Sequence, residues 1–438
     1  MRIPDNSESR LSGDSYDDLK PIADLSLNEA IQKNPNLLVF PPEMDRLWDD
    51  MGSNHICSLS GDKDSFSIKT NNLMGFVGYG STELSIYSRF DSDSKDYFLH
   101  YMLQKVFCPN LIEWRHSYNN TTIFDFLLYL FPYYLNKALS QGLYKEYCRF
   151  KYNNSRVKGA IEVSRHINRN FPFAGNIAYS TREYSFDNRI TQLIRHTIEY
   201  IKTTRFGNTV LRDMTTQSNV RLIIDNTPTY SKQQLRRVLS DNAKEVRHPF
   251  YTEYTILQRI CLQILRHDGF KYGEDDKQVY GILFRGDWLW EEYIAVVLKG
   301  SFAHYTAANS HFKLLNNNGV KKQKIIPDYI SIDKRLVADA KYIPLEKNSS
   351  YNEERATYIY YKTIMYMLRF SSKHGLLFYP NSEIMEPKTY DIINTDCKLS
   401  EVPLHIVKPN DDIDFITYCD KLKAQEELFI QQIDKLNS

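Results

Sequence analysis

Two aspartates and a lysine stand in a short segment with the pattern of a β-hairpin. Asp328 lies in the first predicted strand, Lys324–Ile332, and Asp339 and Lys341 lie in a second apolar run after a turn at about Asp333–Arg335. Side chains alternate between the faces of a strand, so Asp339 and Lys341 share one face with Val337. Burying either charge without a partner is costly, so the pattern needs an explanation.

A metal site is the functional explanation of this segment. Carboxylate oxygens and water are the ligands that Mg²⁺ prefers, and Asp328 and Asp339 would converge on one ion. Lys341 would lie beside a metal-bound water and favour its hydroxide form. Such a site suits phosphodiester hydrolysis, because the metal and the lysine stabilise the charge that builds on phosphorus. The alternative is an edge strand with one solvated face, and an Asp-x-Lys triplet alone arises often by chance.

A third acid lies upstream, in a segment that predicts an amphipathic helix. At about 100° per residue, Glu291 lies at the edge of the apolar stripe of residues 288–298, and Glu292 lies further toward solvent. Glu291 is therefore the better placed of the two to reach a site at the sheet. The alternative is that both are ordinary surface glutamates.

Several catalytic motifs do not occur in the sequence. Without a Gly-x-x-x-x-Gly-Lys-Ser/Thr loop, the chain is not expected to hydrolyse NTP by itself. The glycines of residues 75–80 lack the strand-then-helix context of a dinucleotide site and are predicted to be turns. A Gly-x-Ser-x-Gly elbow and a His-x-x-x-His pair are also missing, which argues against a serine or zinc hydrolase.

The composition is that of a globular protein with several domains. The 438 residues include 55 Lys and Arg against 54 Asp and Glu, and 42% are hydrophobic, which excludes a polycation and global disorder. No apolar run approaches the roughly 18 residues of a membrane helix, and the polar, acidic beginning is unlike a signal peptide. The six cysteines are scattered without metal-binding spacing. We therefore expect a cytoplasmic protein with no membrane partner.

The patterning predicts an α+β multidomain protein with four parts. The composition of residues 1–35 predicts a polar, acidic tail, of which about the first 20 residues are expected to be mobile, and residues 36–150 predict a β-rich module followed by helices. Residues 151–275 predict a basic helical middle region, in which Asp187 is the expected N-cap of a helix that continues to Thr203. Residues 276–438 alternate helices and strands and predict a mixed α/β sheet domain.

The charge of the chain is uneven. Residues 151–250 contain 17 Lys and Arg but 8 Asp and Glu, whereas the first 50 residues contain 5 and 11. Electrostatic attraction is screened within about 8–10 Å, so a neutral chain with a basic middle can still contact phosphates there. A solvated helical face or an acidic protein partner would explain the same charges. The candidate DNA contacts are Arg165, Arg169, Arg189 and Arg195.

Pro327-Asp328 together with Asp339-Ala340-Lys341 resembles the PD-(D/E)xK nuclease motif. With its surroundings, the segment resembles the C-terminal nuclease domain of the McrC family, the endonuclease subunits of McrBC-type and LlaJI-type restriction systems. The resemblance also covers upstream blocks that are similar to the β-rich start and the middle of that family. The segments concerned are 75–86, 157–167, 182–189, 288–293, 361–366 and 376–380.

The resemblance implies roles for individual residues. Asp328 and Asp339 would bind Mg²⁺, with the carbonyl of Ala340 as a third ligand. Lys341 would position the attacking water, and Glu291 would be the helix acid. Related nucleases often carry Gln where this chain has Lys362, so the supporting role of that position is open, although a lysine could contact phosphate instead.

The resemblance also implies partners. An AAA+ GTPase subunit of the McrB type would recognise and translocate double-stranded DNA, which fits the missing phosphate loop of this chain. The N-terminal part would dock on that GTPase and stimulate its hydrolysis. Cleavage of both strands would need a dimer or a pair of complexes. The alternatives are a non-catalytic GTPase-stimulating subunit, a stand-alone repair or recombination nuclease and, with less support, RNA cleavage.

Overall fold

The computed structural model describes residues 1–11, 15–23, 25–34, 37–41, 55–79, 82–92, 95–107, 123–204, 207–270, 279–306, 309–343, 350–410 and 412–437. The strands are β1 (Arg2–Pro4), β2 (Glu8–Leu11), β3 (Leu37–Phe40), β4 (Cys57–Gly61), β5 (Phe66–Thr70), β6 (Leu73–Tyr79), β7 (Thr82–Tyr87), β8 (Glu146–Asn154), β9 (Ala160–Ile161), β10 (Ile177–Ser185), β11 (Tyr280–Arg285), β12 (Phe302–His304), β13 (Lys313–Asn317), β14 (Val320–Lys324), β15 (Tyr329–Ser331), β16 (Leu336–Ala340), β17 (His374–Asn381), β18 (Lys388–Asp391) and β19 (Lys398–His405).

The helices alternate with these strands along the chain. They are α1 (Ser15–Ala23), α2 (Leu27–Lys33), α3 (Tyr97–Phe107), α4 (Ile123–Ser140), α5 (Val163–Asn170), α6 (Arg189–Thr203), α7 (Gly207–Val210), α8 (Met214–Asp225), α9 (Leu235–Asp241), α10 (Glu253–Phe270), α11 (Gly286–Val297), α12 (Ser350–Phe370) and α13 (Phe415–Asn437). The architecture is a mixed α/β arrangement with several sheets, as the sequence predicts at that level. Among the described residues, no helix is both long and apolar enough to cross a membrane.

The chain forms two compact units rather than four successive parts. Unit 1 combines Met1–Asn120 with Asp275–Ser438, and unit 2 is Thr121–Glu274. One boundary between the units falls at residues 274–275, and residues 1–120 belong to the same unit as residues 275–438. The physical reason is strand pairing: β11 lies in the N-terminal sheet, antiparallel to β6 and parallel to β3.

The first 35 residues differ from the predicted tail. β1 pairs in parallel with β7 at one edge of the five-stranded sheet, whose order is β1-β7-β6-β11-β3. Helices α1 and α2 bury apolar side chains such as Leu19 and Leu27 in the core of the same sheet. The apolar residues of this segment are spaced among many acidic and polar ones. A prediction from overall polarity therefore gave a tail instead of two helices and strands.

Gly75 and Gly78 lie inside strand β6 rather than in the predicted turns, and Gly80 lies outside the described residues. The backbone of the neighbouring strand β11 approaches Gly75 closely, whereas the ring of Tyr280 on β11 packs against Gly78. A Cβ on Gly75 would lie 2.1 Å from the carbonyl oxygen of Ile282, and the φ of Gly75 is +131°. A glycine inside a strand commonly marks such a close approach.

Gly75→Ala is therefore expected to destabilise the protein by about 3 kcal/mol, because overpacking adds to the cost of a positive φ. Gly142→Ala is the matched control. Gly142 also has a positive φ of +99°, but a Cβ there would meet no atom within 4 Å. We expect that control to cost about 1–2 kcal/mol, from the positive φ alone. Chemical denaturation of both variants tests the difference, and equal losses would refute the steric explanation.

The second large sheet of unit 1 contains the hairpin of the two aspartates. Its order is β12-β15-β16-β17-β19-β18, with antiparallel β15–β16 pairing and parallel pairing from β16 through β17 to β19. The predicted hairpin is confirmed, and Lys334 in its turn has a φ of +61°. Helix α11 packs on this sheet through the buried Trp290, whose indole N–H donates to the carbonyl oxygen of Phe378 at 3.4 Å.

Unit 2 combines helices with a small sheet. Helices α4, α6, α8 and α10 pack together, and β8, β10 and β9 form a three-stranded antiparallel sheet. The purely helical prediction for this region is therefore wrong where β8, β9 and β10 lie. The N-cap of α6 is Asn188, whose side chain accepts from the backbone N–H groups of Ile190 and Thr191. The predicted cap, Asp187, instead accepts from the side chain of Gln192 at 2.6 Å.

Candidate active site

The strand that carries Asp339 lies inside the sheet. All five residues of β16 are buried, and the strand has hydrogen-bonded neighbours on both sides. This arrangement excludes the alternative of an edge strand with a solvated face. Lys341 continues the pairing beyond the end of the strand, because its backbone N–H donates to the carbonyl oxygen of Phe378 at 2.8 Å.

Asp339 is a fully buried carboxylate held between two ammonium groups. Its side chain forms an ion pair with Lys341, and its Oδ1 lies 3.6 Å from the Nζ of Lys362 on helix α12. Burial by itself would raise the pKa of Asp339, but the two lysine charges lower it below its usual value. Asp339 is therefore ionised at neutral pH.

Asp328 completes a pair of carboxylates at the end of the hairpin. Its Oδ2 accepts a hydrogen bond of 2.8 Å from the backbone N–H of Ala340, which fixes it beside Asp339. Burial, followed by the negative charges of Asp339 and Glu291, raises the pKa of Asp328 well above its usual value. Two acids with pKa values pushed apart are typical of a site that takes up a cation or a proton.

The two lysines of the site remain protonated. Burial would lower the pKa of Lys341 and of Lys362, but the charges of Asp339 and Asp328 raise both above the usual lysine value. The Nζ of Lys341 also donates to the carbonyl oxygen of Ala340 at 3.2 Å. An ammonium group that keeps its proton can stabilise negative charge and donate hydrogen bonds, but it cannot act as a base.

Glu291 is only partly exposed, and its side chain has a partner. Its Oε1 lies 2.9 Å from the Nε2 of His304 on β12, and its backbone carbonyl accepts from the hydroxyl of Tyr329 at 2.5 Å. The His304 ring stacks on Tyr329 with a centroid separation of 5.3 Å. Burial would lower the pKa of His304, but the hydrogen bond and charge of Glu291 raise it. Glu292 is also partly exposed.

The donor set fits a hard divalent cation. Neither oxygen of Asp339 accepts a hydrogen bond of ordinary geometry from the described residues, although both face lysine charge. Carboxylate oxygens, a backbone carbonyl and water are the ligands that Mg²⁺ takes. In the described ranges no three His, Cys, Asp or Glu side chains are close enough to form a complete metal site. Asp328 and Asp339 supply two carboxylates, so the Ala340 carbonyl and water would have to complete the coordination of an ion there.

The predicted DNA contacts in unit 2 are mostly engaged within that unit. Arg165 forms an ion pair with Glu162 and donates to the carbonyl oxygens of Tyr152 and Tyr179. Arg189 donates to two carbonyl oxygens, and Arg195 forms an ion pair with Glu199. Arg169 is exposed in the last turn of α5. Three of the four arginines thus have structural partners that charge counting could not reveal.

Sequence reasoning missed His304 and Tyr329, because strand pairing alone aligns them. His304 pairs with Tyr329 across β12 and β15, although 24 residues separate them in the chain. A lone histidine in a three-residue strand gives no sequence signal for a carboxylate partner.

Unit 1 is therefore defined as a mixed α/β unit whose second sheet holds a cluster of carboxylates and lysines. The family model that matches the chain is described as a McrBC 5-methylcytosine restriction system component and covers residues 68–380. This match spans most of the chain and includes every residue of the cluster. The chain belongs to this family.

Solved structures show distant similarity. One, refined from a tetradecameric assembly of Thermococcus gammatolerans McrB AAA+ hexamers with bound McrC, is 13% identical, covers 100% of this chain and 99% of the other, and has a TM-score of 0.49. The cryo-EM structure of the Thermococcus gammatolerans McrBC complex is 14% identical, covers 68% and 86%, and has a TM-score of 0.33. Scores below 0.5 do not by themselves establish a shared fold. No curated protein matches the chain.

Proposed function

We propose that this chain is the Mg²⁺-dependent DNA endonuclease subunit of a GTP-dependent restriction complex. The observation that carries the proposal is Asp339, a fully buried carboxylate that faces Asp328 and two protonated lysines. A purely structural core would gain nothing from such a cluster, because burying charge is costly. Family membership supports the restriction system, and the strand–turn–strand placement supports a PD-(D/E)xK nuclease domain.

The chemistry follows from the charges of the site. A bound Mg²⁺ would polarise the phosphoryl oxygen and supply a nucleophilic water near neutral pH. Asp328 and Asp339 would hold the ion, and a bound cation would offset the burial and the neighbouring negative charges that raise the pKa of Asp328. The ammonium group of Lys341 orients the attacking water and donates to the phosphate oxygens. Lys362 adds positive charge on the other side of Asp339.

The proposed partner is an AAA+ GTPase of the McrB type. The matched family supports this partner, and the chain itself carries no phosphate-binding loop. That residues 36–150 dock on the GTPase stays a prediction, as do a dimer of complexes and a cytoplasmic location.

Plasmid cleavage tests the proposed function. The purified chain is incubated with Mg²⁺ and plasmid DNA, with and without its cognate AAA+ GTPase and GTP. Cleavage that requires both the partner and GTP, and that EDTA abolishes, supports the restriction subunit. Cleavage by the chain alone would instead indicate an autonomous nuclease. Stimulated GTP hydrolysis without cleavage of methylated or unmodified DNA would indicate the non-catalytic alternative.

His304→Ala is expected to lower the cleavage rate about tenfold, because Glu291 loses the partner that orients its carboxylate. His304→Gln keeps a side-chain N–H donor and is expected to recover most of the rate. The measurement is single-turnover cleavage over a range of Mg²⁺ concentrations. Equal cleavage rates for His304→Ala and the unmodified chain would show that the contact between His304 and Glu291 has no role in cleavage.

A further inference from the structure

The hairpin β13–β14 is a basic arm that ends four residues before Asp328 in the chain. Residues 313–324 contain four lysines and no Asp or Glu. The two strands pair in register from Lys313↔Lys324 to Asn317↔Val320, and every residue of β14 is exposed. Asn318 and Gly319 both have positive φ angles and form the two-residue turn favoured in β-hairpins.

The base of this arm is anchored in the core beneath the acidic site. The ring of Phe312 packs edge-on against Phe370 at 4.9 Å, and the side chain of Leu314 packs on the same cluster. That cluster also contains Val337, which lies two residues before Asp339, and Tyr366, which lies four residues after Lys362. Because arm and site share one core, the position of the arm relative to the site is fixed.

The arm brings several like charges close together. Lys313 and Lys324 lie directly opposite in the register, and like charges in that position are destabilising. Lys321 and Lys322 are adjacent in β14, so their side chains leave on opposite faces of the ribbon. A polyanion that surrounds the ribbon would meet lysine on both faces.

We propose that this arm binds the phosphate backbone of double-stranded DNA and holds the duplex at the acidic site. A two-stranded ribbon fits the B-DNA major groove, which is about 12 Å wide, and strands of this length reach roughly 17 Å. Lysine contacts to phosphate add affinity without reading sequence. This proposal rests on the proposed function, because it assigns to the arm the binding of the DNA that the nuclease would cut.

Binding is tested separately from cleavage. Lys321→Ala/Lys322→Ala is made in the Asp339→Asn chain, and its affinity for a labelled 30-base-pair duplex is measured without Mg²⁺ over a range of salt concentrations. We expect an affinity at least about tenfold weaker, and a slope of log affinity against log salt that is smaller by about 1.8, or about 0.9 for each lost phosphate contact. Lys408→Ala/Lys421→Ala removes two exposed lysines outside the arm and should leave the slope unchanged.

The same substitutions with Asp339 intact are expected to raise the KM for DNA and to leave kcat within about twofold. Affinity and slope equal to those of the Lys408/Lys421 control would overturn the proposal. Loss of GTPase stimulation with unchanged DNA binding would also overturn it, because the arm would then face the protein partner. If Asp339→Asn still cuts DNA, the proposed active site fails, but the DNA-binding comparison remains a valid test of the arm.

Discussion

Asp339→Asn is expected to lower DNA cleavage by at least about a hundredfold in the complete complex. The substitution keeps the size of the side chain but removes the negative charge that faces both lysines and that would hold a cation. A neutral amide cannot replace a carboxylate as a ligand for Mg²⁺ at comparable affinity. The measurement is plasmid cleavage with the GTPase, GTP and Mg²⁺.

The matched control for that experiment is Asp391→Asn, an exposed aspartate on β18. We expect the control to cut DNA like the unmodified chain. GTPase stimulation should be equal in all three proteins, because the substitution changes the nuclease site and not the partner surface. Asp339→Asn that cuts at the unmodified rate would disprove the assigned site, whereas loss of both activities would point to misfolding.

Asp5→Ala is expected to destabilise unit 1 by about 3–5 kcal/mol, which is the usual cost of leaving one member of a buried ion pair without its partner. Asp5 is fully buried, and its carboxylate binds the guanidinium group of Arg89 at 2.6 Å. It also accepts from the backbone N–H of Arg89 at 2.7 Å. Thermal or chemical denaturation of the full chain measures the loss.

Asp64→Ala removes an exposed carboxylate from the same part of the chain and should change the free energy of unfolding by no more than about 0.5 kcal/mol. Asp5→Ala combined with Arg89→Met removes both charges and is expected to be more stable than Asp5→Ala alone. A single variant as stable as the Asp64 control would show that the N-terminal strand is not held by this pair.

The Asp5–Arg89 ion pair is connected to the candidate site through Tyr342. The guanidinium group of Arg89 lies over the ring of Tyr342 at 4.9 Å, and the Tyr342 hydroxyl is 2.7 Å from the hydroxyl oxygen of Ser88. Tyr342 directly follows Lys341 in the chain. The N-terminal sheet therefore packs against the residue next to the candidate catalytic lysine.

The sequence alone was sufficient for the local features of the site. The alternation of polar and apolar residues predicted the hairpin of Asp328 and Asp339, because neighbouring side chains of a strand point to opposite faces. The apolar stripe of residues 288–298 predicted helix α11 and placed Glu291 nearer the sheet than Glu292. These features depend on residues close in the chain, where periodicity carries the information.

Only the tertiary structure decided what depends on distant pairing. The insertion of β11 between β6 and β3 joins the two ends of the chain in unit 1, and a strand does not encode its neighbours in its own pattern. Likewise, the pairing of β12 with β15 brings His304 to Glu291. Burial of Asp339 at the centre of the sheet then shows that its charge must be matched by the lysines around it.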